Sequence, residues 1–141
     1  MSEALMLGSM TTDELARFVA SGSTAVLVPV GSVEPHGPHL PLSTDTLISE
    51  VVARRAAAAL ESNGIRCVVA PSVPYGVTDY AHGFAGAVGV PAAVLTALLS
   101  AIAERFLKDG FAHVSFVNNH LEPAHDAAVR GAQSAFPPGR V

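Results

Sequence analysis

Ala25-Val26-Leu27-Val28-Pro29-Val30-Gly31-Ser32-Val33-Glu34-Pro35-His36-Gly37-Pro38-His39 changes character at Gly31. The six apolar residues before it show no polar alternation, and such a run reads as a strand covered on both faces. Pro29 lacks an N–H, which argues against a mid-sheet ladder position and puts the end of pairing near it. The Gly-, Pro- and His-rich stretch that follows reads as a loop to residue 43. Ser43-Thr44-Asp45-Thr46 looks like a helix start, and Leu47 to Leu60 carries a helical apolar pattern that Asn63-Gly64 ends.

The same reading extends in both directions. Upstream, Thr11 or Thr12 caps a short helix over 12–20, with Asp13 and Glu14 at its positive end. Downstream, Ile65 to Ala70 is a second apolar strand, stopped by Pro71. A helix over 91–108, a strand over 113–117 and a helix over 123–134 complete the order. Crossovers long enough to hold a helix each imply a parallel sheet. The expectation is one α/β domain over 1–141, a three-layer sandwich with a mostly parallel sheet and flanking helices.

Composition narrows the function. The chain has 141 residues, half of them hydrophobic and 14% charged, which is far from a disordered composition. Eight basic residues face 12 acidic ones, a formal net charge of -4. No basic stripe is present to neutralise phosphates, so nucleic-acid and anionic-membrane partners are disfavoured. Met1-Ser2-Glu3-Ala4 lacks the basic start of a signal peptide, and Glu104 interrupts the best apolar run. A cytoplasmic protein is the expectation. Cys67, in an apolar strand, reads as a buried small residue.

Four of the six histidines lie in two loops that each follow a strand. One loop holds His36 and His39. The other, Asn118-Asn119-His120-Leu121-Glu122-Pro123-Ala124-His125, follows the third strand. In open α/β sheets, ligands bind beyond the carboxyl ends of the strands. In extended chain, side chains two apart point the same way. Glu34 and His36 can therefore face one pocket, as can His120 and Glu122, with Asp45 at the next helix start. Carboxylates and imidazoles together suit zinc, manganese or iron. Three carboxylates and one hydroxide balance the charge of two divalent ions better than that of one. The bland alternative is that Asp45 caps a helix, Glu34 is an exposed loop residue and His120 bonds to backbone. His39 and His125 read either as supporting donors or as plain polar residues, and His113 as structural. Asp126 and Arg130 are spaced to pair along a helix. Tyr75, Tyr80, His82 and Phe84, after the second strand, are placed to reach the same mouth or simply to pack. Dinucleotide, P-loop and Gly-x-Ser-x-Gly motifs are absent.

Val28-Pro29-Val30-Gly31-Ser32-Val33-Glu34-Pro35-His36-Gly37-Pro38-His39-Leu40-Pro41-Leu42-Ser43-Thr44-Asp45-Thr46 resembles the hallmark motif of the creatininase (creatinine amidohydrolase) family. That pattern usually has glutamine at Pro35 and often glycine at Ser43, and neither change removes a ligand. Val117-Asn118-Asn119-His120-Leu121-Glu122 is similar to the family's Asn-Gly-His segment. Many members continue with Gly-Gly-Asn there, whereas creatininase itself has a glutamate where Glu122 stands. The resemblance implies one metal on Glu34, Asp45 and His120 and another on His36, Asp45 and Glu122, with Asp45 bridging. It implies His120 and Glu122 as the catalytic residues, and zinc, manganese or iron as the metal. It also implies non-peptide C–N bonds as the target, a small-molecule amide substrate and a homo-oligomer.

Tyr75 to Gly86 resembles the family's substrate-side loop, with His82 offset by one position and Ala85 and Ala87 in place of proline and threonine. This makes Tyr80, His82 and Phe84 substrate-side candidates. The resemblance spans nearly all of this chain but little more than half of a typical member. Two functional expectations follow. One is a metal-dependent amidohydrolase. The other is a catalytically incomplete metal-binding fragment that requires a complementing C-terminal chain or serves in assembly. The missing segment would also leave the third strand with an open edge.

Overall fold

The computed structural model describes residues 4–141. Two layers of helices enclose a four-stranded sheet whose pairs are all parallel. The elements in chain order are β1 (Leu5–Met6), α1 (Thr12–Ala20), β2 (Thr24–Val30), α2 (Thr44–Ser62), β3 (Arg66–Val69), α3 (Ala92–Lys108), β4 (His113–Asn118) and α4 (Pro123–Ser134). The strands are ordered β1-β3-β2-β4. The chain steps from β2 to β3 on one side, then crosses to β4 on the other. The strand order therefore reverses around β2, and the loops after β2 and β4 leave the sheet side by side.

Alternation along β2 sorts the core into two halves. Val26, Val28 and Val30 face α1, α3 and α4, packing with Phe18, Leu95, Leu99, Ala128 and Ala132. Ala25 and Leu27 face α2, packing with Ala53, Ala57, Cys67 and Val69. A central strand buried on both faces has no solvent side on which to place polar residues. This is why its sequence is an unbroken apolar run. Small side chains on α2 let that helix lie close to the sheet. α1 begins with a full capping box, in which Thr11 and Glu14 each satisfy the other's backbone N–H.

Besides one-residue shifts at the start of β2 and at both ends of β3, three features depart from the sequence reading. β1 was not anticipated. Pro29 sits in the central strand, where pairing with β4 runs on through Val30 and Asn118. The Pro29 carbonyl accepts from the Val73 N–H at 2.9 Å, on the β3 side. In a strand the N–H and C=O of one residue point the same way. The missing donor thus faces the place where the neighbouring chain passes through Pro71 and Ser72, beyond the end of β3. The third is an extension of β4 to Asn118, one residue beyond the expected 117. β4 itself lies at the sheet edge, as expected, and its Val114 N–H donates to Arg140 O at 2.9 Å. Among the described residues, no helix is long and apolar enough to cross a membrane. Met1 to Glu3, on which the reading of the leader partly rests, lie outside the described residues.

Candidate metal centre

After β2 the chain doubles back. The Glu34 N–H donates to Leu42 O at 3.1 Å, and His36 forms an isolated antiparallel bridge with Leu40. The base of this loop is pinned three times. Gly31 N–H donates to Val73 O, Val88 N–H donates to Val33 O, and Ser32 and Thr78 hydroxyls bond inside the core. Gly31 must be glycine, because a Cβ there would lie 2.6 Å from Thr46 N and Oγ1. That close approach sets the first turn of α2, and Asp45 with it, against the loop carrying Glu34. Ser49 adds a bond from its hydroxyl to Val30 O at 2.6 Å, and Asn119 Nδ2 donates to that hydroxyl at 3.1 Å.

The five expected residues converge. Asp45 Oδ1 lies 3.0 Å from His36 Nε2, and Asp45 Oδ2 lies 2.9 Å from His120 Nδ1. Glu34 Oε1 is 3.1 Å from His120 Nδ1 and 3.9 Å from His36 Nε2. Glu122 Oε2 is 3.9 Å from His120 Nε2, and its two carboxylate oxygens accept from the Asp79 and Tyr80 N–H groups at 3.1 and 3.3 Å. Asp45, His120 and Glu122 are buried, while Glu34 and His36 reach the mouth. Two sets have ligand atoms within 4.8 Å of one another: Glu34 with His120 and Glu122, and Glu34 with His36 and Asp45. These sets share Glu34, whereas the sequence resemblance implies Asp45 as the shared residue.

The tautomers show what the cluster is built to hold. His36 Nδ1 donates to Glu34 O at 3.2 Å, and His120 Nε2 donates to Val77 O at 2.7 Å. A neutral imidazole carries one proton. In the neutral form, the other nitrogen of each ring would turn a lone pair toward carboxylate oxygens about 3 Å away. Lone pairs facing anions repel unless a cation lies between them. Asp45 Oδ2 is fully buried and receives no hydrogen bond. Its neighbour at 2.9 Å is Nδ1 of His120. Backbone carbonyls that fix ring tautomers are the usual support of metal-ligating histidines. Burial raises the Glu34 pKa, and the Asp45 charge adds to this, while His120 and His36 pull it down. The residues fit a divalent cation. Asp45 caps nothing here: Ser43 occupies the cap position, and the Asp45 carboxylate faces imidazoles.

A cavity of about 390 Å³ opens on the cluster, lined by all five residues with Tyr80, Asn119 and Leu121. A larger groove of about 490 Å³ runs along β4 and α4 but holds none of the five. Volume alone would favour the groove. The smaller cavity is the candidate site because its walls carry convergent acids and imidazoles. Of the substrate-side candidates, Tyr80 lines the cavity; His82 and Phe84 are exposed and are not among its lining residues. His39 is exposed, and His113 bonds to Gly139 O and Ser115 Oγ at the β4 edge. Asp126 and Arg130 pair at 2.7 Å along α4. Burial pushes the Cys67 thiol up to about 11, as expected for an inert core residue. Sequence reasoning missed Val77, whose carbonyl fixes His120, and Asn118, whose side chain brackets the His120 peptide by bonds to its N–H and its C=O.

The family model for creatininase, creatinine amidohydrolase, matches residues 8–139. The chain belongs to the creatininase family. Among relatives of this family, a mycofactocin precursor peptide peptidase of Mycolicibacterium smegmatis is 41% identical over 115 residues, covering 81% of this chain and 44% of its own. A creatinine amidohydrolase of Pseudomonas putida is 28% identical over 127 residues, covering 86% and 47%. A mutant creatininase of Zn-Zn type superposes with a TM-score of 0.83 at 23% identity, over 95% of this chain and 51% of that one. A manganese creatininase gives 0.78 at 24% identity, over 98% and 56%. At these identities the superpositions show the fold. The chain spans about half the length, or less, of these creatininase-family proteins.

Proposed function

We propose that this chain carries the metal centre of a hydrolase that cleaves C–N bonds of amides, with two divalent ions, zinc or manganese, held by Glu34, His36, Asp45, His120 and Glu122. The observation that carries the reading is the pair of imidazole nitrogens that meet the two oxygens of one buried carboxylate, Asp45, at 3.0 and 2.9 Å. Each Asp45 oxygen has its own histidine, so Asp45 would help to hold both ions. Iron also suits this ligand set. Such ions, when bound, acidify a water and polarise a carbonyl. The chain's own residues supply negative charge, two fixed lone pairs and a wall. The Asp79 and Tyr80 N–H groups orient Glu122, and His120 beside it completes the catalytic pair. Tyr80 and Leu121, both strongly exposed at the rim, are positioned to meet an organic substrate.

A small cyclic or linear amide fits the cavity, and the family name supports it. A peptide amide is the second substrate reading, because the relatives named peptidases are more similar in sequence than the creatinine amidohydrolase. A second form of the proposal has turnover supplied together with a complementing polypeptide or a second copy of the chain, seated along the β4 edge. The test is metal content by mass spectrometry, followed by hydrolysis of creatinine and of short peptides with added zinc or manganese. Two chelator-sensitive ions per chain and release of amine support the proposal. Failure to retain any ion in wild type, at zinc concentrations that load other di-zinc hydrolases, sinks it. Metal retained without turnover on either substrate favours the complemented form.

A further inference from the structure

His125 is 0% exposed, yet it is a polar side chain on a helix that contributes no expected ligand. Its Nδ1 accepts the Val77 N–H at 3.2 Å, so the ring proton sits on Nε2, which donates to Asn118 Oδ1 at 3.1 Å. Those two partners are the groups that hold His120. The Val77 carbonyl takes the His120 Nε2 proton at 2.7 Å, and Asn118 Oδ1 takes the His120 backbone N–H at 3.1 Å. The four residues form a closed ring of hydrogen bonds, and the two imidazoles stack edge to face with centroids 4.6 Å apart. Gly76 leaves room for it: a Cβ there would lie 2.3 Å from His125 Nδ1.

The ring of bonds matters because His120 has a competing choice. Without a cation, a proton on His120 Nδ1 would be attracted to Glu34 and Asp45, and the lone pair would be lost to the site. The Val77 carbonyl opposes this only while it stays within reach of Nε2. Its peptide is anchored through the N–H that His125 accepts. The alternative His125 tautomer would turn an N–H toward the Val77 N–H and a lone pair toward Asn118 Oδ1, so a single tautomer satisfies both neighbours.

We propose that His125 is a positioning residue of the metal centre, which holds Val77 and Asn118 so that His120 keeps its proton on Nε2 and presents Nδ1 to the metal. This rests on the metal-centre reading above. A plain core histidine would fill the same space without governing its neighbour's tautomer.

The experiment combines nitrogen-15 histidine spectra of the metal-free protein with zinc titrations of wild type, His125→Phe and His125→Gln. In wild type, both His120 and His125 are expected as the Nε2–H tautomer. His125→Phe keeps the bulk and removes both bonds. It is expected to give a mixed His120 tautomer and about 10–100-fold weaker zinc binding. His125→Gln carries one acceptor and one donor and is expected to recover most of the affinity. Should the phenylalanine variant not fold, His125→Leu takes its place. A proton on Nδ1 of either ring in wild type overturns the proposal. So does a folded His125→Phe variant, or its leucine replacement, whose His120 spectrum and zinc affinity match wild type. Should wild type bind no zinc, the metal reading fails, while the His120 spectra of wild type and variant still decide the part assigned to His125.

Discussion

Replacing Gly76 by alanine adds one methyl group at a point where three atoms already stand. The new Cβ would lie 2.3 Å from His125 Nδ1, 2.4 Å from His125 Cε1 and 2.8 Å from Gly31 O. The Gly31 carbonyl belongs to a loop pinned by the Gly31 N–H to Val73 O bond, so the imidazole has to yield. It is fully buried, and any retreat stretches its bonds to Val77 and Asn118. Overpacking of this kind costs about 1–3 kcal/mol. Two weakened hydrogen bonds add about 0.5–1.5 kcal/mol each. The sum is roughly 2–6 kcal/mol, centred near 4, and at roughly 2–4 °C per kcal/mol the melting point falls by roughly 8–16 °C. Gly131→Ala provides the internal control. Its Cβ would meet Thr96 at ordinary distances of 3.6 and 3.7 Å, inside α4. Alanine is favoured over glycine in a helix interior by roughly 0.5–1 kcal/mol, so this variant should melt slightly higher than wild type. Circular-dichroism melts and urea titrations of the three proteins, side by side in chelator, measure both effects. A Gly76→Ala melting point within about 2 °C of wild type would refute the packing argument, as would an equal loss in Gly131→Ala.

Asp45→Asn removes a buried carboxylate oxygen that receives no hydrogen bond. Metal-free protein should gain roughly 1–3 kcal/mol, while the zinc-induced rise in melting point disappears; scanning calorimetry with and without zinc shows whether the two changes take opposite signs. In wild type, zinc at a hundred times its dissociation constant should add about 2.7 kcal/mol per site, and removal by chelator should reverse it. Burial, and then the Glu61 charge, push the folded pKa of Cys67 from its ordinary 9.0 up to about 11. The unfolded thiol ionises first, so the stability it contributes is complete below pH 9 and is lost as pH rises to about 11, on the order of 3 kcal/mol. Urea midpoints across that range should fall faster in wild type than in Cys67→Ala, and equal slopes would contradict this. Ser49→Ala removes a hydroxyl that donates to Val30 O and accepts from Asn119. A loss of about 1–3 kcal/mol is expected from the two stranded partners, read as a lower urea midpoint with an unchanged m-value.

The boundaries of α1 and α4 were legible to the residue, because caps and prolines mark helix ends through local chemistry. β1 was not. Two residues, Leu5 and Met6, give no period to read, and they form a strand only because the β3 edge accepts them. Pro29 misled for a related reason. A missing donor counts against a central strand only where a partner needs it, and here the regular β3 ladder has ended at Val69 and the chain rejoins β2 only at Val73. The metal centre divides along the same line. Glu34, His36, His120 and Glu122 could be found from spacing, since side chains two apart on extended chain share a direction, and Asp45 from its place at a helix start. The groups that fix their protons are main-chain atoms: the carbonyls of Val77 and Glu34 and the N–H groups of Asp79 and Tyr80. Every residue owns such atoms, so no residue type signals them. His125 left two readings open for that reason, since what separates a supporting imidazole from a filler is the backbone it touches. A lone-pair nitrogen aimed at a buried carboxylate needs both halves. The sequence names the atoms that would meet the cation, and the fold decides on which side of each imidazole the proton sits.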